Sequence, residues 1–187
     1  MAVMNRGANV GLTREIPGLS SIVVGVSWNA GSESVLEENL VLAALLCDAG
    51  SKALSPEHFV FFNQLSSPDL SVSQLKEALA GDKEQVEIDL PDVPAEVARI
   101  VVVVYLNEGT AQHRTLGQLG ALAVTVRDGR DNRELVRSED LAPALSAETA
   151  LVLGEVYRHG AEWKFKVVGE GYASGIAGIA SDYGLPL

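Results

Sequence analysis

The sequence holds one cysteine, Cys47, and no His-x-x-x-His or Cys-x-x-Cys pair. A lone cysteine excludes an intrachain disulfide and a thiolate zinc cluster. Set within Leu-Val-Leu-Ala-Ala-Leu-Leu-Cys, it reads as a small buried hydrophobe. Positive charge is scarce as well: 14 Lys and Arg stand against 25 Asp and Glu in 187 residues, a formal charge of −11. Binding nucleic acid by neutralising phosphates needs clustered Lys and Arg, and so does attachment to an anionic membrane; neither is expected here. The longest apolar runs, Leu40–Cys47 and Ile100–Leu106, fall far short of the ~20 residues that cross a bilayer. The opening stretch lacks the apolar core of a secretory signal. A soluble, cytoplasmic chain is the expectation.

What is present suits a globular domain. Apolar residues make up 47% and charged residues 21%, enough for a core and too apolar for a mainly disordered chain. One domain over residues 1–187 is expected. Ser21–Trp28 is β-branched and ends at Asn-Ala-Gly, His58–Asn63 is aromatic-rich behind Ser-Pro, and Val86–Leu90 alternates apolar with acidic; all three read as strands. Ile100–Leu106, with four successive valines, has the continuous apolar character of an inner strand. Ala121–Arg127 with Arg133–Val136, and Leu151–Tyr157 with Trp163–Val168, read as hairpins. Trp163, Phe165 and Val167 share one face of the last strand, and Lys164 and Lys166 the other.

Two segments read as helical. Ser73–Ala80 is built of good helix formers, places Leu75 and Leu79 on one face and stops at Gly81. Tyr172–Asp182 is the other. Leu36–Cys47 fits both a helix and a buried strand, and periodicity does not separate them. Many short strands between turn signals make a β-sandwich, with Val102, Val104, Trp163, Phe165 and Val167 in its core.

Motifs that carry chemistry are few. Gly169-Glu170-Gly171 follows a strand, but the third glycine falls at 175, one residue out of register for Gly-x-Gly-x-x-Gly. A turn that needs glycine is the better reading. His113 and His159 stand in polar, turn-like surroundings, and Glu37-Glu38 reads as a solvated acidic pair. No nucleophile elbow or Walker loop is present, and no enzyme is expected. Acidic loops remain, and Ca²⁺ takes hard oxygen ligands from loops. The candidates are Asn63 behind the aromatic strand, Asp69 in Ser-Pro-Asp, and Asp82 and Glu84 in Gly-Asp-Lys-Glu.

Residues 154–172, GEVYRHGAEWKFKVVGEGY, resemble the signature of the TerD family, the tellurium-resistance and general-stress proteins of bacteria. Gly7-Ala8-Asn9-Val10 with Leu12, Gly25-Val26-Ser27-Trp28, and Leu54–Asn63 extend the likeness, as do Ser67-Pro68-Asp69 and Glu84-Gln85-Val86. It covers essentially the whole chain. The resemblance implies a mainly β, two-sheet β-sandwich with a few short helices, and it favours a strand for Leu40–Cys47. It also implies a non-enzymatic stress-response module whose partners are other Ter-type proteins.

Departures from the family pattern fall where its calcium ligands stand. The family run Asp-Phe-Asp-Leu-Asp-Ala corresponds here to Glu37-Glu38-Asn39-Leu40-Val41-Leu42. A loop rich in Gly and Asp is replaced by Ser73–Ala80, and the closing Gly-Asp-Asp-Glu becomes Gly81-Asp82-Lys83-Glu84. The paired asparagines behind the aromatic strand become Asn63-Gln64. The resemblance thus implies a degenerate site at one end of the sandwich, with Asn63, Asp69, Asp82 and Glu84 as its remaining ligands. Val41 supplies no donor, and Lys83 either opposes a dication or neutralises a carboxylate by pairing with it. Calcium, the one cofactor in view, is expected to bind weakly or not at all; the alternative is a functional calcium-binding module.

Overall fold

The computed structural model describes residues 2–107 and 113–186. Hydrogen-bond pairing sorts the strands into two six-stranded sheets. Sheet A runs in the order β1 (Ala2–Met4), β10 (Glu134–Ser138), β9 (Ala121–Asp128), β3 (Ser21–Asn29), β7 (Glu84–Asp89) and β6 (Val72–Gln74). Sheet B runs β2 (Asn9–Gly11), β12 (Glu162–Tyr172), β11 (Ala150–His159), β8 (Arg99–Leu106), β4 (Leu40–Cys47) and β5 (Phe59–Val60). Helix α1 (Ser34–Asn39) leads directly into β4, and α2 (Ile176–Asp182) follows β12.

The two sheets close over one core. Ile22, Val24 and Val26 of β3 and Val86 and Ile88 of β7 face Leu42, Ala44 and Leu46 of β4, Val102 and Val104 of β8, and Trp163, Phe165 and Val167 of β12. All five core residues expected from the sequence are buried; Trp163 retains 5% exposure and the other four none. A second apolar layer explains the runs that alternation leaves undecided. Val41, Ala43, Leu45 and Cys47 of β4, with Val101, Val103 and Tyr105 of β8, point to the outer face of sheet B, where Ile179 and Ala180 of α2 and Leu185 cover them. With both faces covered, β4 and β8 have no polar side to display, so they read as continuous hydrophobic stretches. Burial pushes the Cys47 thiol up to about 12, which keeps it from acting as a thiolate.

Several expectations change. Ser73–Ala80 is not a helix: residues 72–74 form β6, with Val72 opposite Ile88 and Gln74 opposite Val86, and the rest is irregular. A helix this short gains little by itself, whereas pairing with β7 buries Val72 completely, so tertiary pairing overrides propensity. Leu79 ends 53% exposed instead of sharing a buried face with Leu75. Gly169-Glu170-Gly171 lies inside β12, not in a turn. Gly169, at φ 69°, makes a bulge in which Val168 and Gly169 oppose the single Leu153 of β11. In His58–Asn63 only Phe59–Val60 is regular strand; Pro56–His58 is a 3-10 turn, and Phe61 pairs with Gln64 around Phe62-Asn63. The C-terminal helix begins at Ile176, behind Gly175 at φ 72°.

Candidate functional site

A glycine in the middle of a β-branched strand marks a close approach. Gly25 of β3 faces outward from sheet A, and the segment 75–83 folds across it. A Cβ at Gly25 would stand 2.1 Å from Asp82 Oδ2, so the Asp82 carboxylate occupies the space that a side chain would take. That oxygen accepts hydrogen bonds from Gln85 Nε2 at 2.8 Å, Thr125 Oγ1 at 3.0 Å and Arg127 Nε at 3.1 Å. The Asp82 and Arg127 side chains are 1% and 5% exposed, so this is a buried ion pair. Arg127 also donates to the Asn132 and Ala80 carbonyls, and Gln85 exchanges hydrogen bonds with the Leu79 backbone. The network pins the 75–83 segment to the sheet.

A second group of polar residues lies at the end of the sandwich where β4 and β7 begin. Glu37 of α1 accepts hydrogen bonds from Trp28 Nε1 at 2.6 Å and Lys83 Nζ at 2.7 Å. The Lys83 hydrogen bond leads the interactions that hold its carboxyl below the ordinary range. Glu84, the first residue of β7, shares the inward parity of Val86 and Ile88 and reaches across to sheet B. It accepts from the Leu42 amide at 3.4 Å and from Gln74 Nε2 at 3.2 Å. Burial pushes its carboxyl up, and these two hydrogen bonds offset that only in part.

The four ligands nominated from the sequence are dispersed. Asn63 is exposed in the turn behind β5. Asp69 caps its own loop, accepting from Ser67 Oγ at 2.9 Å, the Ser71 amide at 2.8 Å and Ser71 Oγ. Burial raises its pKa, yet the bonds from Ser71 and Ser67 outweigh that and hold it below the usual range. The adjoining Ser71 lies beside Asp89, at the opposite end of β7 from Glu84, a strand distance of roughly 17 Å. Asp82 lies over the outer face of sheet A, and Glu84 points between the sheets. Among the described residues, no three His, Cys, Asp or Glu side chains are placed to share a metal ion. The structure does not bring Asp69 together with Glu84, which lie at opposite ends of β7. Val41 packs into the outer apolar layer of sheet B, and Lys83 pairs with Glu37, the second of the two behaviours expected of it.

Sequence reading missed Arg127, Thr125, Gln85 and Gly25. The mid-strand Gly25 and the lone arginine closing Ala-Leu-Ala-Val-Thr-Val-Arg were the available signals.

Glu84 carries a measurable consequence. Its folded pKa lies above the ordinary value of 4.5, so the native state binds this proton more tightly than the unfolded chain. Stability then falls as pH rises through that window. Glu84→Gln is expected to raise the melting temperature at neutral pH, and the gain should vanish below the ordinary glutamate range. Thermal melts across pH check this; a gain that persists in acid would assign the effect to packing instead.

The family model described as the TerD domain matches residues 1–183. General stress protein 16U of Bacillus subtilis (strain 168) is 40% identical over 185 residues, covering 96% of this chain and 95% of that protein. Tellurium resistance protein TerD of Serratia marcescens is 36% identical over 187 residues, with 97% and 96% covered. Among solved structures, a homologue of telluride resistance protein (TerD) from Streptomyces coelicolor A3(2) superposes with TM-score 0.66 at 22% identity, over 87% of this chain and 96% of that one. A protein of unknown function superposes with TM-score 0.68 at 24% identity, over 91% and 99%. At these identities the two structures show the shared fold alone.

Proposed function

Because the chain belongs to the TerD family, we propose that it is a non-enzymatic binding or scaffold module of the stress response associated with tellurium resistance, with calcium binding weakened or lost. The observation that carries this is the engagement of the nominated carboxylates. Two of the three are taken up: Asp82 pairs with Arg127, and Asp69 holds its own loop through Ser67 and Ser71. Calcium affinity follows the number of free carboxylates and the rigidity of their loops, and here Asp82 and Asp69 would each have to give up partners first. The non-enzymatic part draws on the side-chain chemistry. Ser55 Oγ lies 2.7 Å from His58 Nδ1, but this contact is local to a 3-10 turn, and His58 has no orienting partner for its other ring nitrogen among the described residues. The same reading places it in the cytoplasm, working with other Ter-type proteins. Among the described residues no helix is long and apolar enough to cross a membrane.

The alternative, a functional calcium module, draws on Glu84. That carboxylate has no ion-pair partner among the described residues, and the neighbouring Gln74 Oε1 is buried without a hydrogen bond. Calorimetric titration of chelator-treated protein with calcium separates the two. We expect no saturation below millimolar calcium and no change in melting temperature, an affinity about one to two orders of magnitude below that of an intact site if each lost interaction is worth about 1.4 kcal/mol. Micromolar binding with a clear rise in melting temperature, abolished by Glu84→Ala, would establish the alternative.

A further inference from the structure

Exposed apolar side chains collect on one edge. Among the described residues, the large hydrophobics left open to solvent are Val3, Phe62, Leu65, Leu70 and Leu79, and three of them project from the single segment 61–71. This segment crosses from β5, the edge of sheet B, to β6, the edge of sheet A. Its residues 65–67 pair along β6 through Ser66 and Ser73, with the Gln74 amide donating to the Leu65 carbonyl at 2.8 Å. Leu70 is the extreme case: 72% exposed and held at φ 68°, a left-handed conformation that is unfavourable for leucine. It gains nothing from burial and loses stability through its backbone. The turn is nonetheless rigid, because the Leu70 amide donates to the Ser67 carbonyl and the Asp69 carboxylate fastens Ser67 to Ser71. A strained, exposed leucine on a fixed turn is a preorganised anchor, which costs little ordering when a partner binds.

Charge beside the anchor indicates the partner. The Asp89 amide donates to the Ser71 carbonyl, so Asp89 adjoins the Leu70 turn, and Asp92 lies against Asp89. Neither acid has an ion-pair partner among the described residues. A second copy of this chain would bring another acidic edge and a further −11 charges, and a two-fold contact would set like charges near each other. From this geometry we propose that the 61–71 edge docks a basic, apolar peptide segment of a different protein, Leu70 as its anchor and Asp89 with Asp92 as its counter-charge. This deepens the scaffold reading and rests on it.

The test uses two labelled synthetic peptides of equal charge, one alternating Leu with Lys and one alternating Ser with Lys, titrated with the full chain and followed by fluorescence anisotropy. The native protein is expected to bind the Leu–Lys peptide at least roughly tenfold tighter than the Ser–Lys peptide. Leu70→Asn should erase that preference with the melting temperature unchanged or raised, since asparagine accepts the left-handed backbone. Leu65→Ser is the independent second variant and should reduce the preference too. Asp89→Asn with Asp92→Asn should weaken both peptides and flatten the dependence on salt. Equal binding of the two peptides by the native protein, or a preference untouched by Leu70→Asn, overturns the proposal. So does sedimentation showing native dimers that Leu70→Asn converts to monomers, which would assign the edge to a second copy. The calcium titration does not depend on this edge, so failure here and failure of the function proposed above are read separately.

Discussion

Arg127→Met is expected to cost about 3–5 kcal/mol, because it strands the Asp82 carboxylate in a site that is 1% exposed. With Arg127 gone, Asp82 keeps only the Gln85 and Thr125 hydrogen bonds, and the Ala80 and Asn132 carbonyls lose their donor. In a domain of this length such a loss lowers the melting temperature by roughly 10 °C. Removing both charges, Arg127→Met with Asp82→Asn, should recover most of it, since a buried pair is weak as a net stabiliser and costly only when broken. Gly25 supplies a second arm. Gly25→Ala would place its Cβ 2.1 Å from Asp82 Oδ2 and 3.1 Å from Thr125 Oγ1, forcing the carboxylate out. The same change should be nearly silent in an Asp82→Ala background. Urea unfolding of the native protein, Gly25→Ala, Asp82→Ala and the double variant measures this coupling. An Arg127→Met protein within about 1 kcal/mol of the native one would mean that the 75–83 segment is held by something else.

Trp163→Ala should cost a similar amount, about 3–5 kcal/mol, by leaving a cavity between the sheets. Trp163 is 5% exposed within the main core, and the Arg158 guanidinium lies over its ring at 4.3 Å. Arg158 is fixed in turn by donating to the Val97, Val93 and Pro94 carbonyls. The indole thus ties the β11–β12 hairpin to the loop that feeds β8. Trp163→Phe keeps a ring under the guanidinium and much of the volume, and is expected to cost less than half as much. Guanidinium unfolding checks the pair. An alanine variant indistinguishable from the phenylalanine one would remove the cavity and the cation–π contact as the reasons.

Local pattern, by itself, determined most of the strands and the inward face of the last one. β7 and β12 were legible because alternation records which side chains face the core, and β8 because an unbroken apolar run marks an inner strand; either record sits within a few residues. The same holds for Trp163, Phe165 and Val167. The β4 strand needed more, since its eight apolar residues are consistent with either element until α2 is known to cover its outer face. For the polar residues the limit is sharper. Composition named Asp69, Asp82 and Glu84 as oxygen donors, yet their partners are decided by the fold: Arg127 meets Asp82 from 45 residues away, and Lys83 meets Glu37 from 46. Ser73–Ala80 had the propensity of a helix and lost it to pairing with β7. Burial of an apolar face is a local property that a chain writes into its own periodicity. Which charge neutralises which carboxylate, and whether a carboxylate stays free for an ion, depends on contacts between distant segments, and only the tertiary structure brings those segments together.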